Sequence, residues 1–305
     1  MSITEQLDLA IKLDERKTTD GFYSMSTSKG TVDRATYMTN ADWTTFFSNM
    51  NPEARCEFCN GSGGELFEKN GCPPKMASYG SSSRMIYMLS RNQKNFHFEK
   101  QLPTTVGGKA NLDGFYEDEK HYIFVEAKCH EPYSSKINNV SDSYTCLYDY
   151  INDHMADKIK IEMTPSKCGR YNNVNYLAKS NSLENFELLE HFDLKQMICH
   201  LLGIATGMLN GTLEKKATNF IYLLYDPTKL AISDKYKSKI NEIYVKTCHE
   251  CNLIDFAELF RVILIFLREH TDAGVMTDEE IKTVVSNFKF NLMSQEEYAK
   301  ELSKL

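Results

Sequence analysis

The chain has 305 residues and a net charge of −7, with 35 Lys and Arg against 42 Asp and Glu. Hydrophobic residues make up 42% of it and charged residues 25%, which is the balance of an ordinary globular protein. This composition excludes a collagen, a disordered chain and a uniformly basic nucleic-acid coat protein, but it leaves room for a local basic groove.

The chain shows no signal for a membrane or for secretion. Its longest uninterrupted apolar run, Val262 to Leu267, is far shorter than the roughly 20 residues that span a bilayer. The N-terminus lacks an apolar stretch of signal-peptide length. The nine cysteines are odd in number and scattered, which favours reduced thiols. We therefore expect a cytoplasmic protein that makes no contact with membranes.

The first 80 residues are expected to form a loop-rich N-terminal extension. Ser2 and Glu5 form a capping box that predicts a short opening helix. Residues 24–36 are rich in Ser, Thr and Gly and predict a loop. Residues 50–82 contain Gly, Pro and Cys in a pattern that argues against regular structure.

The predicted core spans residues 81–226 and alternates helices with strands. Its predicted elements are a helix over 82–92 capped by Ser81, strands over 95–102, 109–116 and 121–129, a helix over 193–208 capped by Asp193, and a strand over 219–225. Residues 227–305 predict a helical C-terminal extension packed on this core. The fold class is therefore α/β, with a mixed central sheet of about four strands in the order α-β-β-β-α-β.

Three charged residues carry the chemistry of this core: Asp113, Glu126 and Lys128. Residues two apart in a strand point to the same face, so Glu126 and Lys128 project together. If residues 117–120 form the turn, Asp113 pairs with Phe124 and lies on that face too. We expect this patch to be exposed, so that removing its charges spares the fold.

Such a patch suits a hard divalent cation. Two carboxylates held close together repel each other unless one is protonated or a cation lies between them. Mg2+ takes oxygen ligands and commonly uses one or two carboxylates together with substrate phosphate. An ammonium group nearby could hydrogen-bond an attacking water or stabilise charge on the phosphorus centre. These are the components of metal-assisted phosphodiester hydrolysis.

The pattern of Asp followed by Glu-x-Lys across a hairpin resembles the PD-(D/E)XK nuclease superfamily, which has the restriction-endonuclease-like fold. Asn111-Leu-Asp-Gly-Phe115 and Val125-Glu-Ala-Lys-Cys-His-Glu-Pro132 are similar to the core signature of a bacterial restriction-endonuclease-like branch. The resemblance covers about residues 80–226. Leu112 stands where many members have Pro, which weakens the match only slightly.

The resemblance implies a Mg2+-dependent or Mn2+-dependent endonuclease that hydrolyses DNA. It implies that Asp113 and Glu126 bind the metal, that the carbonyl of Ala127 is a third ligand, and that Lys128 serves the nucleophile. Double-strand cutters of this superfamily often act as dimers, so a homodimer is one expectation. The alternative is a catalytically silent DNA-binding or scaffolding module on the same fold.

Many members also supply an acid from the first helix, and residues 82–92 contain none. We expect Glu99, on the first strand, to be the substitute, with an ordinary surface carboxylate as the equal alternative. Glu65 or Glu68 could also reach the site from the preceding loop.

The later helix and the loop after the Glu-x-Lys strand hold further candidates. Gln196-Met-Ile-Cys-His200 resembles the Gln-x-x-x-Tyr motif of some exonuclease-type members, with His in place of Tyr. We expect Gln196 to contact the active site, and His200 less so. Glu131 and Tyr133 could orient Lys128 or touch a phosphate, or could simply belong to a polar loop.

Three cysteines, Cys56, Cys59 and Cys72, suggest a structural zinc ion. No fourth ligand is evident nearby, so we favour free thiols in a loop over zinc.

Overall fold

The computed structural model describes residues 1–27, 30–61, 64–134, 138–166, 171–180, 185–272 and 274–305. The helices in these ranges are α1 (Ile3–Arg16), α2 (Asn40–Ser48), α3 (Pro52–Asn60), α4 (Ser82–Ser90), α5 (Thr145–His154), α6 (Leu194–Leu209), α7 (Asp234–Asn252), α8 (Phe256–His270), α9 (Asp278–Ser286) and α10 (Gln295–Leu302). The strands are β1 (Tyr23–Thr27), β2 (Gly30–Arg34), β3 (Phe96–Pro103), β4 (Lys109–Glu117), β5 (His121–Lys128), β6 (Asn139–Ser141), β7 (Ile159–Pro165), β8 (Tyr171–Lys179), β9 (Phe186–Leu188), β10 (Ala217–Leu224) and β11 (Phe288–Met293).

A mixed five-stranded sheet, in the order β11-β10-β5-β4-β3, forms the centre of the fold. Strands β11, β10 and β5 run parallel, and β4 and β3 follow antiparallel. The α/β class and the four predicted strands are confirmed. The fifth strand, β11, comes from the segment that was expected to be wholly helical, so that expectation was wrong. Every second residue of Phe288-Lys-Phe is more buried than its neighbour, which is the period of a strand covered on one face.

Helices cover both faces of this sheet and create two cores. The α4 core lies on one face and includes Ile86 of α4, Leu7 of α1 and Val125 of β5. The α6 core lies on the other face and includes Leu201 of α6 and Phe124 of β5. Successive residues of β5 therefore point to opposite cores and are apolar on both faces, as expected for a strand inside a sheet that is covered on both sides.

The polar stretch between β5 and α6 forms a second sheet. Strands β6, β8 and β7 pair in that order, and β9 pairs with β8. The sheet is joined to α5 by a buried hydrogen bond of 2.7 Å between the hydroxyls of Tyr148 and Tyr176. No helix within the described ranges combines the length and the apolarity needed to cross a bilayer.

Several predicted caps and boundaries are confirmed, but two expectations for the N-terminal segment fail. The capping box of Ser2 and Glu5 is formed, and Ser81 and Asp193 cap α4 and α6. Residues 24–36 were predicted to be a loop, whereas β1 and β2 lie there and pair antiparallel. Residues 50–82 are also not free of regular structure, because α3 occupies Pro52–Asn60. Asn51 caps that helix and Pro52 stands at its first turn, where a proline is tolerated.

Helix α6 is held against the sheet by a glycine and by a buried carboxylate. A Cβ atom at Gly203 would lie 2.7 Å from Cβ of Ala110, so only glycine permits this approach of helix to strand. At the N-terminal end, Glu250 of α7 accepts hydrogen bonds from the backbone N–H groups of Glu190, His191 and Phe192 at 2.7–3.1 Å. These contacts fix the position from which α6 presents side chains to β5.

Replacing Gly203 with alanine tests this close approach. Alanine gains about 1 kcal/mol of helix propensity over glycine, but overpacking typically costs about 1–3 kcal/mol. Because the opposing atom is a Cβ fixed to the backbone, we expect the overpacking to win and the free energy of unfolding to fall by about 1 kcal/mol. Urea denaturation measures this, with Lys195→Ala on the same helix as control. A gain in stability would show that α6 does not lie this close to the sheet.

Candidate active site

The predicted pairing of β4 with β5 is shifted by two residues from the observed one. Tyr116 pairs with Ile123 and Gly114 with Val125, so the expected pairing of Asp113 with Phe124 was wrong. A shift by an even number of residues preserves the face on which each side chain lies. Asp113 is one residue beyond the last observed pair, Gly114 with Val125, so its position is set by its side-chain contact rather than by the ladder.

Asp113 lies where β4 separates from β5. The pairing of the two strands ends at Gly114 and Val125. Beyond it, Oδ2 of the Asp113 carboxylate accepts a hydrogen bond of 2.8 Å from the backbone N–H of Ala127. The side chain thus satisfies an amide that the strand ladder leaves free. This bond ties Asp113 to the strand that carries Glu126.

In both β3 and β4, the alternation of side chains between the two faces of the sheet shifts by one residue near Glu99 and Asp113. Phe98 and Tyr116 belong to the α4 core, whereas Leu102 and Leu112 belong to the α6 core, although all four positions are even-numbered. Between them, Glu99 adopts a φ of 54°, in the left-handed region. A non-glycine residue in this region stores about 1–3 kcal/mol of strain, which is typical of functional sites.

Glu126 and Lys128 form a buried ion pair that α6 completes. Lys128 Nζ lies 2.6 Å from Glu126 Oε1 and donates a hydrogen bond of 2.5 Å to Gln196 Oε1. The other carboxylate oxygen of Glu126 lies 2.8 Å from Nε2 of His200. Gln196 and His200 are one helical turn apart, so both reach the same strand. The predicted contact of Gln196 is present, and His200, which was given less weight, also lies within hydrogen-bond distance of the site.

The charges of the site depend on one another. Burial and the neighbouring Glu126 carboxylate raise the pKa of Asp113 well above its usual value. Burial also acts to raise the pKa of Glu126, but the Lys128 ammonium and His200 outweigh it, and the pKa is lowered. Burial acts to lower the pKa of Lys128, but Glu126 and further carboxylates raise it well above its usual range. The result is a charged pair beside an acid that is inclined to hold its proton.

The expectation that this patch is exposed was wrong. Glu126 is 1% exposed and Lys128 is 5% exposed, while Asp113 is partly buried. The triad lines a pocket of about 370 Å3 that opens between the end of β5 and the residues before α4. This volume is at the small end of the range of about 300–1,000 Å3 for ligand sites.

The remaining candidates divide between this pocket and other places. Glu99, Glu65 and Glu131 line the pocket, whereas Glu68 is exposed outside it and accepts a hydrogen bond from the hydroxyl of Tyr23. Glu65 is buried and forms an ion pair of 2.7 Å with Lys75. Glu131 is held by the backbone N–H of Cys129 at 2.8 Å and by the hydroxyl of Ser82.

Tyr133 and the three cysteines lie elsewhere. Tyr133 is buried and lines a separate cavity beside the second sheet. Cys56 and Cys59 are on α3 rather than in a loop, and both, like Cys72, are exposed free thiols.

Two residues of the pocket region were not anticipated. His130, two positions after Lys128, lines the pocket, and its Nδ1 lies 3.1 Å from Oδ1 of Asp8 on α1. The histidine next to the Glu-x-Lys motif was a visible signal. Its partner, 122 positions earlier in the chain, was not, because no local pattern links α1 to β5.

The donor set of the pocket suits a divalent cation. The carboxyl groups of Asp113, Glu126 and Glu99 interact through their charges, and those of Glu126 and Glu99 act to raise the pKa of Asp113. A dication among them would relieve this repulsion. Within the described ranges, no group of three or more His, Cys, Asp or Glu side chains is arranged as a formed metal site. In the structure, Glu126 is engaged by Lys128 and Asp113 by Ala127, so binding a cation would exchange these contacts for new ones.

Comparisons of the chain with models of known protein families, with curated proteins and with solved structures find no match. The interpretation of the site therefore depends on its residues and geometry.

The burial of the ion pair predicts an asymmetric effect of mutation. Lys128→Met leaves the Glu126 carboxylate buried without its ammonium partner, and such losses typically cost about 3–5 kcal/mol. Glu126→Gln combined with Lys128→Met removes both charges, so we expect most of that stability to return. Urea denaturation of the two variants measures the difference.

Lys239→Met provides the control, because its ion pair with Glu242 is exposed and should contribute less than about 1 kcal/mol. Equal, small effects for Lys128→Met and Lys239→Met would contradict the buried pair.

Proposed function

We propose that this protein is a metal-dependent nuclease that hydrolyses phosphodiester bonds of DNA with the site formed by Asp113, Glu126 and Lys128. The observation that carries the proposal is the convergence of two carboxylates and an ammonium group on one pocket, at the point where β4 separates from β5. A site with this donor set, beside a strained strand residue, is an unusual arrangement for a purely structural core.

The order of elements supports the same proposal. Helix α4, strands β3, β4 and β5, helix α6 and strand β10 follow one another around the site. This is the α-β-β-β-α-β order expected of a restriction-endonuclease-like core, and the PD-(D/E)XK resemblance of the sequence lies on those elements. The second sheet and β11 are additions to that order.

Each side chain has a role in the proposed chemistry. Asp113 and Glu126 hold Mg2+ or Mn2+, with the Ala127 carbonyl as a further oxygen donor and Glu99 as an additional acid. The cation, when bound, supplies Lewis-acid polarisation of the phosphate. Lys128 supplies an ammonium donor for the attacking water or for the charge that develops on the phosphoryl oxygens.

Gln196 and His200 position the groups that react. Gln196 accepts from Lys128 Nζ and orients it toward the pocket, while His200 contacts the carboxylate oxygen of Glu126 that Lys128 does not. Both side chains come from α6, which packs closely on the sheet at Gly203. Supporting contacts of this kind hold reacting groups within the narrow geometry that catalysis requires.

The direct test is cleavage of plasmid and linear DNA by purified protein with Mg2+ or Mn2+ and with EDTA. We expect cleavage that requires the metal. Asp113→Asn keeps the shape of the side chain but loses a charged ligand, so cleavage should fall to background. Asp149→Asn, an exposed position on α5, is the matched control and should cleave as the wild type does.

Cleavage that persists in Asp113→Asn, or that is unaffected by EDTA, would contradict the proposal. Melting temperatures of the two variants separate loss of chemistry from loss of fold, which matters because the site is buried.

The second candidate is a catalytically silent DNA-binding module on the same fold. The buried ion pair, which compensates its own charges without a cation, is the observation that favours it. Under this alternative, the protein would shift DNA in a gel, and calorimetry would detect no binding of divalent ions. Metal-dependent cleavage would exclude it.

A further inference from the structure

The residues around the proposed site include a histidine–aspartate pair that the triad does not use. Nδ1 of His130 lies 3.1 Å from Oδ1 and 3.4 Å from Oδ2 of Asp8. Asp8 is 5% exposed, although it is a charged residue on an amphipathic helix, and such burial is rare without a specific partner. The pair therefore accounts for a buried carboxylate in α1 that the core alone would not tolerate.

The surrounding backbone is shaped around this pair. A Cβ atom at Gly80 would lie 1.8 Å from Oδ1 of Asp8 and 2.5 Å from Nδ1 of His130. Any side chain at that position would displace one of the two groups. The residues before α4 thus leave room for the pair at the edge of the pocket that holds Asp113, Glu126 and Lys128.

The imidazole ring is placed between a buried anchor and the open pocket. Its side chain is 35% exposed, and His130 lines the pocket together with the triad. Nδ1 is directed at Asp8, and within the described ranges no hydrogen bond engages the second ring nitrogen, Nε2. An acidic partner on one nitrogen orients a histidine and favours its protonated form.

The carboxylates near the His130 ring also favour its protonated form. Burial acts to lower the pKa of His130, but the hydrogen bond to Asp8 and the nearby Glu131 carboxylate outweigh it, and the pKa is raised. Glu131 also lines the pocket, and Ser82 and the backbone N–H of Cys129 hold its carboxylate in place.

We propose that His130 is the general acid of this site, donating the Nε2 proton to the sugar oxygen that leaves phosphorus, and that Asp8 positions it. This inference rests on the proposed nuclease function. The oxygen of water forms a bond to phosphorus, and the bond from phosphorus to the leaving oxygen breaks with its electron pair on that oxygen. That oxygen takes the proton of His130, the attacking water loses a proton to solvent, and His130 is reprotonated from solvent.

A division of labour follows from the contacts. Lys128 is engaged with Glu126 and Gln196 on the α6 side of the pocket. His130 is anchored from the opposite side, by a helix of the first 80 residues. The two cationic groups can therefore serve different oxygens of one phosphate, and the N-terminal extension contributes to the reaction through Asp8.

The test uses a leaving group that needs no proton. Product ends first identify which sugar oxygen leaves, and a substrate is then made with sulfur at that bridging position. A thiolate leaves without protonation, because thiols ionise far more readily than alcohols. We expect His130→Gln to slow cleavage of the oxygen-linked substrate about 10²-fold or more, and to cleave the sulfur-linked substrate close to the wild-type rate.

Two further variants make the result specific. Asp8→Asn should show the same pattern with a smaller loss, because it misorients the ring without removing it. His121→Gln is the matched control, since His121 forms a comparable pair with Asp118 at 3.2 Å on the exposed hairpin turn. It should cleave both substrates as the wild type does.

Each outcome has a definite meaning. Equal losses of His130→Gln on both substrates, or no loss on either, would overturn the general-acid role while leaving the nuclease function in place. Failure of the wild-type protein to cleave any diester with Mg2+ or Mn2+ would overturn the proposed function, and the acid role with it.

Discussion

A buried charge cannot remain alone, and this constraint organises the site. Glu126 and Lys128 are on the central strand of a sheet covered on both faces, where an unpaired ion would cost several kcal/mol. Each is therefore matched twice, once by the other and once by a side chain of α6. Asp113 accepts a hydrogen bond from the backbone N–H of Ala127, which β5 leaves unpaired where β4 separates from it. The pair of Glu126 and Lys128 compensates its own charges, while the carboxyl groups of Glu126 and Glu99 act to raise the pKa of Asp113.

The segments outside the core matter because they support this balance. Helix α7 holds the entry to α6 through Glu250, which accepts three backbone N–H groups. Helix α1 reaches the opposite side of the pocket with Asp8. Two turns further along α1, Glu15 pairs with the buried Arg84 of α4 at 2.9 Å. The N-terminal segment therefore forms part of the pocket wall, through Tyr37, Glu65 and Lys75, whereas the C-terminal segment supports the site from outside through α7.

Much of the core could be predicted because its signals are local. The alternation in β5 and the caps of α4 and α6 depend on neighbouring residues, and all were confirmed. The face shared by Glu126 and Lys128 needed only the period of a strand. The exact register of the hairpin was not predictable in the same way, because Asp118 accepts from the amides of Lys120 and His121 and tightens the turn. The error was an even number of residues, so the convergence was still found.

What could not be predicted depends on contacts between distant parts of the chain. The burial of the triad follows from α6 and the loop before α4 closing over β5, which no strand pattern reveals. Strand β11 is short and amphipathic, and only pairing with β10 selects the strand over a helix. The second sheet is rich in Asn and other polar residues, so its apolar period is weak. The pair of Asp8 and His130 joins two elements that have no sequence relation.

The central claim is that Asp113 and Glu126 together hold a divalent cation, and anomalous scattering from crystals grown with Mn2+ tests it most directly. The account predicts a peak bound by both carboxylates, with Lys128 moved away from Glu126 to admit it. A structure at saturating Mn2+ in which the Lys128–Glu126 pair is intact and the only peaks lie elsewhere would contradict it.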